Sequence, residues 1–218
     1  MLITSCHLLE HALLLHRQGF IPLPLRKGGK HLDLAAMDYA PLHFQTRRKR
    51  LKELAFTSLC YQLSQKPPVR SDITDWFAEF DGNIGILGGY QGLIILDFDD
   101  RGRFERWEKD NSAIVSRTPV ARSPNGYHVY LRTSQPMVTS SMYSGLRRIG
   151  HLKSLGGYIV ACPSVTNDGG AYEWMKDRSP LDVAPCVIDS LEALRLRPVS
   201  PLKYVYDRLL NRGYFELQ

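Results

Sequence analysis

The sequence is poor in cysteine, with four in 218 residues, and Cys6, Cys60, Cys162 and Cys186 lie far apart. Without paired spacing they predict neither a zinc site nor a disulfide framework, which fits a reducing cytoplasm. No apolar run approaches the ~20 residues that a membrane helix needs. The N-terminal MLITSCHLLEHALLLHRQGF has no basic start and is interrupted by Glu10, His11, His16 and Arg17, so it predicts an amphipathic helix and not a signal peptide. Internal repeats and low-complexity tracts are missing, and no persuasive Ser/His/Asp or Cys/His pairing points to a covalent enzyme intermediate.

What is there is a globular composition, 44% hydrophobic and 23% charged, which predicts one compact domain with an appendage. The net charge of +6 is concentrated in TRRKRLK (Thr46 to Lys52) and LRRIGHLK (Leu146 to Lys153). Such runs either solvate a helix face or attract phosphates and nucleic acid.

Helical spacing of Leu8, Leu9, Ala12, Leu13 and Leu15 predicts a helix over Ser5 to Gln18, stopped by Gly19. FIPLPL reads as an edge segment and RKGGK as a basic turn. Helical material follows from Pro41 to Gln65, and a further helix is expected with its N-cap at Ser71 or Asp72. DGNIGILGG and YQGLIILDFDD read as two strands joined as a hairpin or a closely adjacent pair. A charged helix (Gly102 to Asn111), the strand YHVYL after a Ser-Pro-Asn-Gly turn, the strand-turn-strand HLKSLGGYIVACPS and a short strand in AYEWM complete the centre. The end, from about Asp189, reads as helical material broken near Pro198 and Pro201. Strands clustered centrally between flanking helices, without regular strand-helix alternation, predict an α+β fold with a mostly antiparallel or mixed sheet.

In GLIILDFDD, four apolar residues run into two carboxylates. Alternation along a strand places Asp97 and Asp99 on one face, roughly 6 to 7 Å apart, with Phe98 on the other. Like charges this close call for protons, arginines or a divalent metal shared with substrate phosphates. The structural alternative is that they cap the next helix or pair with Arg101 and Arg103. His128 and Tyr130 share a face of the YHVYL strand, and a histidine beside the Asn125-Gly126 turn can either hydrogen-bond structurally or meet a ligand phosphate. Lys153 precedes Gly156 and Gly157, where absent side chains let a backbone or a base approach.

In order and spacing, ALLLHRQGFIPLPLRKGGK, DWFAEFDGNIGILGGYQGLIILDFDD, SPNGYHVYL, GGYIVACPS and YEW resemble the bifunctional DNA primase/polymerase (prim-pol) domain of the archaeo-eukaryotic primase superfamily, from about Leu13 to Trp174. The resemblance implies a primase/polymerase core with an RRM-like catalytic sheet over residues 1–190, followed by a helical extension or linker over 191–218. It implies a nucleotidyl transferase using two divalent metal ions, Mn²⁺ or Mg²⁺, to make and extend primers on a single-stranded DNA template from NTPs or dNTPs. It assigns Asp97, Asp99 and His128 to catalysis, Asp97, Asp99 and His151 to the metals, and Ser123, His128, Lys153 and Lys30 to the nucleotide. It further implies coupling to a replicative helicase, no membrane partner, and a cytoplasmic, nucleoid-associated location.

Two departures stand out. His151 falls where the family usually carries a third acid, unless Asp100 or Asp168 supplies that oxygen, and an imidazole there predicts a preference for Mn²⁺ or Co²⁺ over Mg²⁺. Asn125 stands where a paired glycine is common, a position Asn tolerates. Two rivals remain. One is a haloacid-dehalogenase-like phosphatase built on Asp-x-Asp, which lacks the usual following Thr. The other is a non-catalytic module that keeps the primase shape and binds single-stranded nucleic acid or nucleotide, with Tyr127, Tyr130, Tyr158 and Trp174 available for stacking.

Overall fold

The computed structural model describes residues 5–39 and 49–199. Helix α1 (Ser5–Arg17) buries Leu8, Ala12 and Leu15, one stripe of the helical repeat. Strand β1 (Pro22–Leu25) lies at the edge of a three-stranded sheet, where proline's missing N–H interrupts no ladder. The basic turn that follows closes with Gly29 N–H donating to the Arg26 carbonyl at 2.9 Å. Helix α2 (Lys49–Gln65) carries the end of the helical stretch expected from Pro41; residues 40–48, including the start of the TRRKRLK run, lie outside the described residues.

Helix α3 (Arg70–Phe77) begins earlier than expected. Asp72 is not its cap: it sits one turn in, and its carboxylate accepts from the Val69 N–H at 2.8 Å. A carboxylate at the third helical position can reach back in this way to an N–H that the helix leaves free.

Strands β2 (Asn83–Leu87) and β3 (Leu93–Phe98) are not a hairpin. β2 is the centre of the small sheet, between β1 and β8 (Tyr158–Ala161), whereas β3 lies in a larger, seven-stranded sheet. Between them the chain turns through Tyr90–Gly92 and leaves one sheet for the other. The chain makes the reverse change between β7 (Arg147–Lys153) and β8, so the second glycine turn is a crossover as well. Gly88 N–H donates to the Gly157 carbonyl at 2.9 Å, tying the two crossovers together.

The larger sheet runs β6 (Ser140–Ser144), β7, β3, β5 (Tyr127–Thr133), β4 (Val120–Arg122), β9 (Glu173–Trp174). All of these pairs are antiparallel, and β10 (Cys186–Ile188) adds a parallel partner to the far half of β5. The fold is α+β, as the sequence predicts. β4, β6 and β10 are short strands that the sequence pattern did not mark.

β3 reads as a continuous apolar run because both of its faces are covered. Leu93 and Ile95 face a core shared with the small sheet, α1 and α3; Ile94, Leu96 and Phe98 face a second core built on α4 (Arg101–Val115). On that second side Phe98 meets Phe104 and Trp107 at ring-centroid distances of 5.5 and 4.9 Å. Helix α4 is longer than expected, and Asp100 caps it, accepting from the Arg103 N–H at 2.8 Å. Beyond Asp189 the described chain forms a 3-10 turn (Glu192–Leu194). Leu191, Leu194 and Leu196 are buried in the second core, and Trp107 Nε1 donates to the Leu194 carbonyl at 3.0 Å. The expected helical material over 200–218 lies outside the described residues.

Candidate active site

At Asp97 the cover on the first face of β3 ends while the second continues, so the strand's alternation emerges only there: Asp97 is half-buried, Phe98 buried and Asp99 exposed. The register then fixes the neighbours. Asp97 lies directly opposite His128 on β5 and opposite His151 on β7, which makes one row, His151–Asp97–His128, across three strands. Two residues back, on the same face, Ile95 is flanked by Tyr130 and Lys153.

Two glycines let the flanking strands close on this strand end. A Cβ on Gly126 would lie 1.9 Å from the Phe98 carbonyl oxygen, and one on Gly150 would lie 1.9 Å from that of Asp97. Gly150 also belongs to an irregularity in the β6–β7 ladder: Met142 pairs with Gly150, but Tyr143 pairs with Arg148. One residue is therefore extra on β7, and side chains beyond it change face. Ile149, which strict alternation from His151 would aim at the aspartates, is instead in the second core. Arg148 takes its place, 3.7 Å from Asp99 Oδ2 and in contact with both ring nitrogens of His151.

His128 Nε2 and Asp97 Oδ1 are 3.3 Å apart, and His151 Nδ1 is 3.7 Å from Asp99 Oδ1. Of the two roles that the sequence allows His128, the structural hydrogen bond is made; the residue is only 3% exposed, and its Nδ1 is buried without a protein partner. Burial works to raise the Asp97 carboxyl, but the His128 hydrogen bond and the charges of His128, Lys153 and His151 hold it below its ordinary value. Burial, then Lys153 and Arg148, push His151 down against the opposing pull of Asp99, which favours the neutral imidazole.

These groups line a cleft of about 720 Å³ between the two sheets. Asp97, Asp99, Ser123, His128, His151, Lys153 and Lys30 all border it, so the structure brings every sequence-predicted site residue to one place. Ser123 closes the turn before β5, its Oγ accepting from the Gly126 N–H at 3.0 Å. Lys30 is carried on the loop after β1, where Tyr158 donates its hydroxyl to the Lys30 carbonyl at 3.0 Å. His31 and Tyr172 also line the cleft and were not singled out from the sequence; they come from loops whose placement only tertiary structure determines. Of the aromatics considered for stacking, Tyr158 borders the cleft. Tyr130 is fully buried, Trp174 packs on it at 5.1 Å, and Tyr127 stacks on Phe104 in the second core at 4.1 Å.

Among the described residues one group has metal-ligand geometry: donor atoms of Asp97, Asp99 and His151 all lie within 4.8 Å of one another. Asp100 is engaged as the α4 cap, and Asp168, though it borders the cleft, is outside the group. Two carboxylates and a neutral imidazole fit one divalent cation. A second would have to draw on the same carboxylates and on a substrate.

A family model described as bifunctional DNA primase/polymerase, N-terminal, matches residues 12–187. Among curated proteins no match to the chain was found. None of the described helices is long and apolar enough to cross a membrane.

Proposed function

The chain belongs to the bifunctional DNA primase/polymerase family, and on that premise we propose that it is a template-dependent nucleotidyl transferase that makes and extends primers on single-stranded DNA. The family's substrates are nucleic acid and nucleotides, and its enzymes typically use divalent metals. The observation that carries the reading is the His151–Asp97–His128 row, with Asp99 beside it, at the floor of a cleft edged by Lys30 and Lys153.

Each side chain has a distinct task in this reading. Asp97, Asp99 and His151 would hold the cation, which when bound supplies charge neutralisation at the reacting phosphates and activation of the attacking 3′-hydroxyl. His128 fixes the Asp97 carboxylate through Nε2, and its ring borders the part of the cleft that we assign to the nucleotide phosphates. Lys153 and Lys30 bind the triphosphate as point charges, and the Tyr158 hydroxyl positions the Lys30 loop. Ser123 holds the turn that brings His128 into line. On the far face, Arg103, Arg106 and Arg147 line a groove in which Arg195 is paired with Asp110 at 3.0 Å; its net positive charge suits backbone phosphates of the template or primer, an affinity that should fall with salt.

The test is extension and unprimed synthesis on a single-stranded template with labelled NTPs and dNTPs, beside an Asp97→Asn/Asp99→Asn protein. Metal-dependent products that vanish in the double variant support the assignment. Template binding without products from either protein would favour the second reading, a degenerate binding module. The replacement of an acid by His151, and the Asp99–Arg148 pair, are what recommend that alternative.

A further inference from the structure

Arg148 has no place in the assignments above, yet it touches two of the three proposed ligands. Its guanidinium lies 3.7 Å from Asp99 Oδ2 and against both nitrogens of His151. It reaches them only because of the extra residue on β7, and its main chain is held from the other side: Arg103 Nη1 donates to the Arg148 carbonyl at 3.2 Å. Arg103 in turn lies in the first turn of α4, and its N–H is the one that Asp100 caps. The backbone of Arg148 is thus tied to the strand end that carries the aspartates. Its side chain is 46% exposed, with solvent on the side away from Asp99 and His151.

We propose that Arg148 is the resident counter-cation of the Asp97–Asp99–His151 group, and that it leaves for the phosphates of the incoming nucleotide when a divalent cation binds. This rests on the metal and nucleotide reading of the cleft. An arginine is always charged, so it cannot yield the site by losing a proton; it has to move. A divalent cation within a few ångströms would repel it, and a triphosphate beside Lys153 offers its planar fork a bidentate partner. Without nucleotide the guanidinium competes with the metal; with nucleotide it supports the complex. Metal and nucleotide therefore bind cooperatively, and by linkage each strengthens the other equally.

The test is Mn²⁺ binding, by titration calorimetry or electron paramagnetic resonance, with and without a non-hydrolysable nucleoside triphosphate. It is run on the wild type, Arg148→Gln, Arg148→Lys and the Asp97→Asn/Asp99→Asn protein. In Arg148→Gln, Mn²⁺ alone should bind about two- to thirtyfold tighter, taking the worth of an exposed ion pair and doubling it for a divalent ion. The nucleotide should bind more weakly and the cooperativity should shrink, with Arg148→Lys between the two. A purely structural role would weaken both ligands together. Unchanged or weaker Mn²⁺ binding in Arg148→Gln, with wild-type binding still dependent on the aspartates, overturns the counter-cation role alone. Tighter Mn²⁺ binding with unchanged nucleotide affinity overturns the phosphate role. Wild-type Mn²⁺ binding that the double variant retains in full defeats the metal reading itself.

Discussion

Asp97 and His128 are cross-strand partners whose side chains meet at 3.3 Å, so the carboxylate at the end of β3 is oriented by a histidine from the neighbouring strand. The pair joins the apolar core to the cleft. Behind it Ile95 and Tyr130 are fully buried; ahead of it Asp99 is open to solvent.

Removing one partner leaves the other unsatisfied in a largely buried place. His128→Asn is expected to lower stability by about 1.5 to 3 kcal/mol, the worth of a hydrogen bond to a charged group. Urea unfolding measures this. A variant as stable as the wild type would show that Asp97 is held by other contacts.

The same pair sets an acid limb. The Asp97 carboxyl is held below its ordinary value of 3.8, so the stability it contributes is complete above that pH and is lost as pH falls through the lower folded value. Asp97→Asn should remove this component and flatten the unfolding profile below about pH 4. An unaltered acid profile in the variant would contradict the assignment.

Gly150 tests the close strand approach. Its Cβ would collide with the Asp97 carbonyl, so Gly150→Ala should cost at least about 2 kcal/mol and loosen the aspartate end of β3. Gly145 is the control: its φ is +58° but a Cβ there meets nothing, so alanine pays only for backbone strain, roughly 1 to 2 kcal/mol. Thermal melts and Mn²⁺ binding separate the two, since only Gly150→Ala should also impair the metal site.

Much of this site was legible in the sequence because it follows from alternation on one strand. Four apolar residues run up to Asp97 because both faces of β3 are covered, and the shared face of Asp97 and Asp99 needed only the two-residue period. Counting back from Gly156 placed His151 beside them, and the ladder sets it opposite Asp97. What period-two reasoning could not supply is the extra residue on β7, because an isolated glycine such as Gly150 signals many things in a sequence. Arg148 was therefore read as part of a basic run and not as a neighbour of the aspartates. The division into two sheets was hidden for a similar reason: GGYQG and SLGG look like hairpin turns, and only their mutual contact shows that both are crossovers.

His151 should set the choice of cation. An imidazole in place of an acid favours Mn²⁺ or Co²⁺, and His151→Asp should move the preference toward Mg²⁺. Activity and metal affinity measured across the three ions check this; equal or better rates of the wild type in Mg²⁺ would refute it.

Nucleotidyl transfer in the cleft depends, in this reading, on Asp97 and Asp99. Its most direct measurement is pyrophosphate release against nucleotide incorporation on a defined single-stranded template, with Mn²⁺ present. One pyrophosphate is expected for each nucleotide added, and neither product from the Asp97→Asn/Asp99→Asn protein. Release of orthophosphate without incorporation, or equal incorporation by the double variant, would contradict it.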